Sequence, residues 1–143
     1  MIRIKGMIAT LDTAKVIKKA DVTTNTSGHK ITRIASAATP MEFDWTYTAT
    51  LYIEGLHPSR GLIGLAMELD QWFKANGADN ESYEISSAIE FNDEIGYVEV
   101  DLLIYEQLTL TLITGADTTP FDERVRLGAL EYKATERPAR KGV

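Results

Sequence analysis

The sequence predicts an α+β domain. It consists of a mainly antiparallel sheet with long strands, one face of which is covered by an amphipathic helix, and an N-terminal helix. Three observations carry this. Residues 41–55, MEFDWTYTATLYIEG, place Met41, Phe43, Trp45, Tyr47, Ala49, Leu51 and Ile53 on one side. Glu42, Asp44, Thr46, Thr48, Thr50, Tyr52 and Glu54 fall on the other. Period 2 is a strand with one apolar face, and this one is roughly twice the usual length. A second run does the same after residue 97. Between them Leu62, Leu65, Ala66, Leu69, Trp72 and Phe73 recur at steps of three and one, which is a helical stripe. At 143 residues and 44% apolar, the chain suits one domain, 1–143, with a core of its own.

In chain order, Ile4, Ile8, Leu11, Ala14 and Ile17 lie near one helical face, which predicts a helix over 3–19. Gly6 opposes it by about 1 kcal/mol relative to Ala. TTNTSGHK (23–30) has the chemistry of turns and predicts an exposed, mobile loop. ITRIASAAT (31–39) reads as a short strand closed by Pro40. Gly55 and Pro58 end the first long strand. The helix is expected at about 60–76, with Ser59 as N-cap, Gly77 as stop, and Glu68, Asp70, Gln71 and Lys74 toward water. GADNES (77–82) is a loop. Tyr83, Ile85, Ser87, Ile89 and Phe91 share one strand face, and NDEIG (92–96) is a turn. Val98, Val100, Leu102, Ile104, Leu108, Leu110 and Leu112 form the apolar side of the second long strand. Glu106 interrupts that series, which suggests a bulge, a bend or an edge leaving the core. TGADTTPFDE (114–123) is a loop, 124–134 a last strand, and 134–143 a basic C-terminal tail.

Charge is unevenly spread. The net charge is −6, but residues 1–30 carry +4, residues 133–143 carry +3 and the body between them −13. An acidic body disfavours nucleic acid as a partner, and basic ends on such a body can meet a neighbouring copy. There is no cysteine, so disulfides and thiol chemistry are excluded. His29 and His57 both read as surface loop residues, without the spacing of a zinc pair. Asp12 and Lys15 interrupt any export signal, and LIGLAM is too short to cross a bilayer. A chain starting in the cytoplasm, with no membrane partner, is expected.

Catalytic motifs are scarce. SRGLIGL has two glycines at a helix start but not the spacing of a phosphate loop. EFNDE (90–94) gathers carboxylates, and with fewer oxygens than calcium needs it reads as a solvated turn, although Asn92–Glu94 leaves an ion open. Glu99 and Asp101 share a strand face, as a carboxylate pair would, but more often this is the wet side of a sheet. No catalytic residue, cofactor or metal is therefore expected. Trp45, Tyr47, Trp72 and Phe73 read as core aromatics. Tyr52, Tyr97 and Tyr105 alternate to the far side and mark a candidate subunit contact, joined by Glu106 and by Arg137, Arg140 and Lys141 of the tail.

Three blocks together resemble a known family. They are FDWTYTATLYI (43–53), LIGLAMELDQWFKANGAD (62–79) and AIEFNDEIGYVEVDLLIYEQLTL (88–110). Their order and polar landmarks are similar to the tail-completion (GpR-like) proteins, or tail terminators, of temperate contractile-tailed phages. The likeness covers about half the chain. Gly77-Ala78 departs from it where Gln-Pro is expected, and the first thirty residues match poorly. The resemblance implies a non-enzymatic virion protein that completes the tail at its head-proximal end. It further implies a self-ring, of six copies, on the tail tube near the neck proteins, assembled in the host cytoplasm. Long strands would then project past the core toward neighbours. Two other readings stay open: a small cytosolic α+β ligand-binding domain or enzyme with its site between helix and sheet, and a head–tail connector.

Overall fold

The computed structural model describes residues 2–34, 41–56, 60–77, 80–89, 95–116 and 123–136. The chain runs α1 (Ile2–Thr13), a 3-10 turn (Lys19–Asp21), β1 (Val22–Arg33), β2 (Met41–Ile53), α2 (Gly61–Asn76), β3 (Ser82–Ile89), β4 (Ile95–Leu112), β5 (Arg124–Leu127) and β6 (Leu130–Glu136). The six strands form one curled antiparallel sheet in the order β1-β2-β4-β6-β5, with β3 also paired to β4.

The two long strands are its spine. β2 and β4 pair without interruption from Met41↔Leu110 to Ile53↔Val98. Thirteen residues at about 3.4 Å each make a ribbon of roughly 44 Å. Only half of it bears the core. Tyr47, Ala49, Leu51 and Ile53 of β2 and Val98, Val100, Leu102 and Ile104 of β4 are buried, whereas Phe43, Trp45, Leu108 and Leu110 are half-buried. The buried cluster is completed by Ile4, Met7 and Leu11 of α1, Val16 and Ile17 beyond it, and Leu65, Leu69 and Trp72 of α2.

The other edge of β4 is shared. β3 occupies it at 95–103 and β6 at 108–112, and among the described residues 104–107 have no strand neighbour on that side. No bulge occurs in β2–β4 at Glu106. It faces Trp45 in continuous register, so of the three expected alternatives the bulge is absent, while the core does end here, between the buried Ile104 and the half-buried Leu108.

Three further expectations change. Residues 23–30 are not a loop but most of β1, paired to β2 from Val22↔Ile53 to Arg33↔Phe43. The turn chemistry of SGH is used inside the strand. Gly28 has φ +63 and the register shifts between Ser27 and Lys30, a bulge that only glycine adopts without strain. The strand expected at 31–39 thus begins at Val22, and residues 35–40 lie outside the described residues. The first helix stops at Thr13 rather than 19. Lys15 has φ +58, the Val16 N–H bonds the Leu11 carbonyl at 3.1 Å and the Lys15 N–H that of Asp12 at 3.0 Å. This is a Schellman ending, sealed by the buried Leu11 and Val16, with lysine where glycine is usual. The N-cap position of α2 is Arg60, whose side chain makes no capping bond; Ser59 lies outside the described residues. Gly77 does end α2. Its N–H bonds the Phe73 carbonyl at 2.7 Å, and a Cβ there would meet that oxygen at 2.5 Å.

Candidate assembly interface

Where the core ends along the ribbon, a charge node closes it. α1 has no acidic residue in its first turn, so its N-terminal N–H groups need an acceptor from elsewhere. Glu106 supplies it from β4: its Oε1 accepts the Arg3 N–H at 2.9 Å, where the helix dipole favours a carboxylate. The Arg3 side chain runs the other way. Its Nε donates to Glu81 Oε2 at 2.8 Å, Nη2 bonds Glu81 Oε1, Nη1 bonds Glu136, and the guanidinium lies 4.7 Å from the centre of the Trp72 ring. Glu81 Oε2 also accepts the Tyr105 N–H at 3.0 Å, filling the gap on the open edge of β4. One arginine thus joins α1, α2, the approach to β3, β4 and the end of β6.

The electrostatics follow from burial. Arg3 and Glu81 are essentially inaccessible, as is Glu106. Burial alone would lower the affinity of Arg3 for its proton; hydrogen bonds and charge from Glu136 and Glu81 outweigh it and hold the value above normal. Tyr47 is pushed well up, by burial first and then by the negative charge of Glu106. Its hydroxyl and Glu106 Oε2 are both buried with no other partner, and they stand as a long donor–acceptor pair.

Past this node the inward face continues with no helix over it among the described residues. Ile2, Phe43, Trp45, Leu108, Leu110 and Val125 line an open groove of 470 Å³ with Glu123 on its rim. Around it Ile31 is 62% exposed, Leu127 61% and Val125 47%. His29, set by the Gly28 bulge, leans on the same end of the face. Its ring lies 5.6 Å from Trp45 and 5.4 Å from Tyr47, and its Nδ1 accepts the Trp45 indole N–H at 3.0 Å. His29 is therefore exposed but on a strand rather than in a loop. On β5, Arg126 and Arg124 bind Glu131, and the Arg126 hydrogen bond holds the Glu131 carboxyl below its usual range.

The residues expected at a subunit contact are not brought together. Tyr52 and Tyr97 lie side by side on the outer face, ring centres 5.9 Å apart and half-buried. Tyr105 is further along that face, and its hydroxyl donates to Asp44 at 2.6 Å. Glu106 is fully buried and is removed from any surface contact, because it serves the N-terminus of α1. Arg137, Arg140 and Lys141 lie outside the described residues, as do His57 and the 90–94 turn. Glu99 and Asp101 stand on the solvent side, where Thr50 donates to Asp101 at 2.9 Å. Among the described residues no group of three or more His, Asp or Glu is placed to hold a metal ion.

The node and groove were missed by sequence reasoning, yet a signal existed. Arg3 adjoins the apolar stripe of a helix and Glu106 interrupts that of a strand. Each is a charge out of pattern at a buried position, although the Arg3 guanidinium pairs with Glu81 and Glu136 and only its backbone N–H meets Glu106. Comparison with known protein families, with curated proteins and with solved structures gives no match in any of the three.

Proposed function

We propose that this chain is a non-enzymatic virion assembly protein that completes a contractile phage tail at its head-proximal end. It forms a ring with copies of itself, six in number, and meets the tail-tube and neck proteins. One observation carries the assembly part of this reading. The β2–β4 ribbon continues about half its length beyond the core and offers an apolar end that no described helix covers. A chain that works alone gains nothing from such a surface, since exposed apolar patches favour association. The two helices share one buried cluster with a single face of the sheet, and we read them as its cover. The phage assignment itself rests on the sequence resemblance over 43–110.

The ligand-binding alternative placed a site between helix and sheet. That space is filled by Leu65, Leu69, Leu51 and Val100, all without solvent exposure. The second open cleft, 470 Å³ beside Asp12, Lys18 and Leu56, is the place where a small ligand would fit that alternative. Tail tubes lacking their terminal ring separate the readings. Mixed with the purified chain and viewed by electron microscopy, they should gain a cap at one end and stop growing. A chain that neither caps nor co-sediments with tubes contradicts the proposal.

A further inference from the structure

Two edges of the sheet are open at the same height. Among the described residues β1 pairs only with β2, and β3 only with β4. Each therefore turns a row of backbone N–H and C=O groups away from the sheet, a template for another strand. Edges are usually blocked by a bulge, a proline or a lysine. β1 has such devices in its second half only: the Gly28 bulge, Lys30 and Arg33. Its first half, VTTNTS (22–27), is uncharged, keeps a regular register and is rich in the β-branched residues that suit strands. β3 carries SYEISS (82–87), again in regular register and without proline or lysine. We propose that residues 22–27 of one copy pair antiparallel with residues 82–87 of a second, so that the sheet runs on from chain to chain. The inference deepens the assembly reading above and rests on it, but it uses these two edges and not the groove.

Direction, height and charge favour this occupant. β1, β2, β4 and β3 alternate in direction. A second copy set beside the first in the same orientation thus brings its β1 antiparallel to the open edge of β3. The heights follow from the registers: Asn25 lies across from Thr50, Thr50 from Asp101, and Asp101 from Glu84. At equal height Asn25 of one copy faces Glu84 of the other, with Thr23 opposite Ser86 and Ser27 opposite Ser82. All six are exposed. Within its own sheet Glu84 stands opposite Asp101, a like-charge pair that costs stability. It makes no ion pair with another described residue. The Asn25 amide can donate a hydrogen bond to that carboxylate. On the inner side Thr24 meets Ile85 and Thr26 meets Tyr83. β1 also belongs to the basic first thirty residues, at +4, whereas β3 belongs to the acidic body, at −13. The two edges differ, so the contact is heterologous and repeats until it closes into a ring or runs on as a filament. Each copy brings one edge of each kind, so a closed ring leaves neither over.

The absence of cysteine makes the test clean. Asn25→Cys and Glu84→Cys are made separately in the full chain, and equal melting of the reduced variants and parent establishes folding. If either melts lower, Thr23→Cys and Ser86→Cys, the neighbouring pair, take their place. Each is oxidised alone and then in an equal mixture at low salt and high protein concentration, alongside light scattering. The pairing predicts a disulfide between positions 25 and 84 in the mixture, in at least about tenfold excess over the 25–25 and 84–84 products. The roughly twofold excess that chance collision gives overturns the inference, since a heterologous contact must favour the mixed product. Dominant 25–25 or 84–84 linkage means a two-fold contact and also overturns it. An oligomer without the 25–84 link overturns this pairing and leaves the assembly reading standing. A monomer without any link overturns both.

Discussion

Replacing Arg3 by methionine tests the node that ends the core. The side chain keeps similar length and can still lie on Trp72, but it withdraws the guanidinium from Glu81 and Glu136. The Arg3 N–H still reaches Glu106, so the helix cap is unaffected. Glu81 keeps the bond from the Tyr105 N–H but loses the buried guanidinium charge, and its side chain has no solvent access. Breaking one side of a buried pair typically costs about 3–5 kcal/mol. An independent route gives the same size. A buried carboxyl that has lost its counter-charge can take up a proton on folding, which from an ordinary glutamate value of about 4.3 costs about 3.7 kcal/mol at pH 7. For a chain of this length that is a fall in melting temperature on the order of 10–20 °C. Denaturant unfolding of both proteins, repeated from pH 7 to pH 5, is the assay. The deficit should narrow by about 1.4 kcal/mol per pH unit as acid supplies the proton. A loss below about 1 kcal/mol at pH 7, or one that does not change with pH, would refute the argument that Arg3 neutralises a buried charge.

Tyr47→Phe should cost about 1–3 kcal/mol in chemical unfolding, because it removes the hydroxyl that faces the buried Glu106 Oε2. The folded Tyr47 value is raised, so above about pH 10, where the unfolded tyrosine ionises, the fold loses stability as pH rises. The variant should therefore show a flatter alkaline unfolding curve. Trp72→Ala should cost about 3–5 kcal/mol in chemical unfolding, since the ring is 7% exposed and packs in the shared core. Lys15→Gly should raise the melting temperature slightly, because glycine takes the positive φ at the end of α1 without the strain that lysine bears.

The elements with strong internal period were legible. β2 and β4 each bury one face, so alternation alone outlined them, and the α2 stripe of Leu65, Leu69 and Trp72 is the one that is buried. β1 was not, because it is an edge strand whose residues 27–33 are exposed on both sides, leaving no apolar alternation to read. Its pairing to β2 holds it, and pairing is not written in one strand's own pattern. The end of α1 was hidden because lysine took a position where glycine would have announced a stop. Glu106 was visible as an anomaly, but its meaning depends on Arg3, 103 residues away. The groove needed the same long-range knowledge: Val125 and Ala134 reach it only because β6 joins the end of β4 and brings β5 with it.

The central claim is that this chain assembles with copies of itself, and its native mass tests that most directly. Light scattering on the full chain at about 0.1 M and about 1 M salt spans a fall in Debye length from about 10 Å to about 3 Å. The account predicts a multiple of the 15.9 kDa chain at low salt, six-fold for a closed ring, shrinking at high salt as the basic ends lose the acidic body. A single 15.9 kDa species at both salts, at high protein concentration, would contradict it.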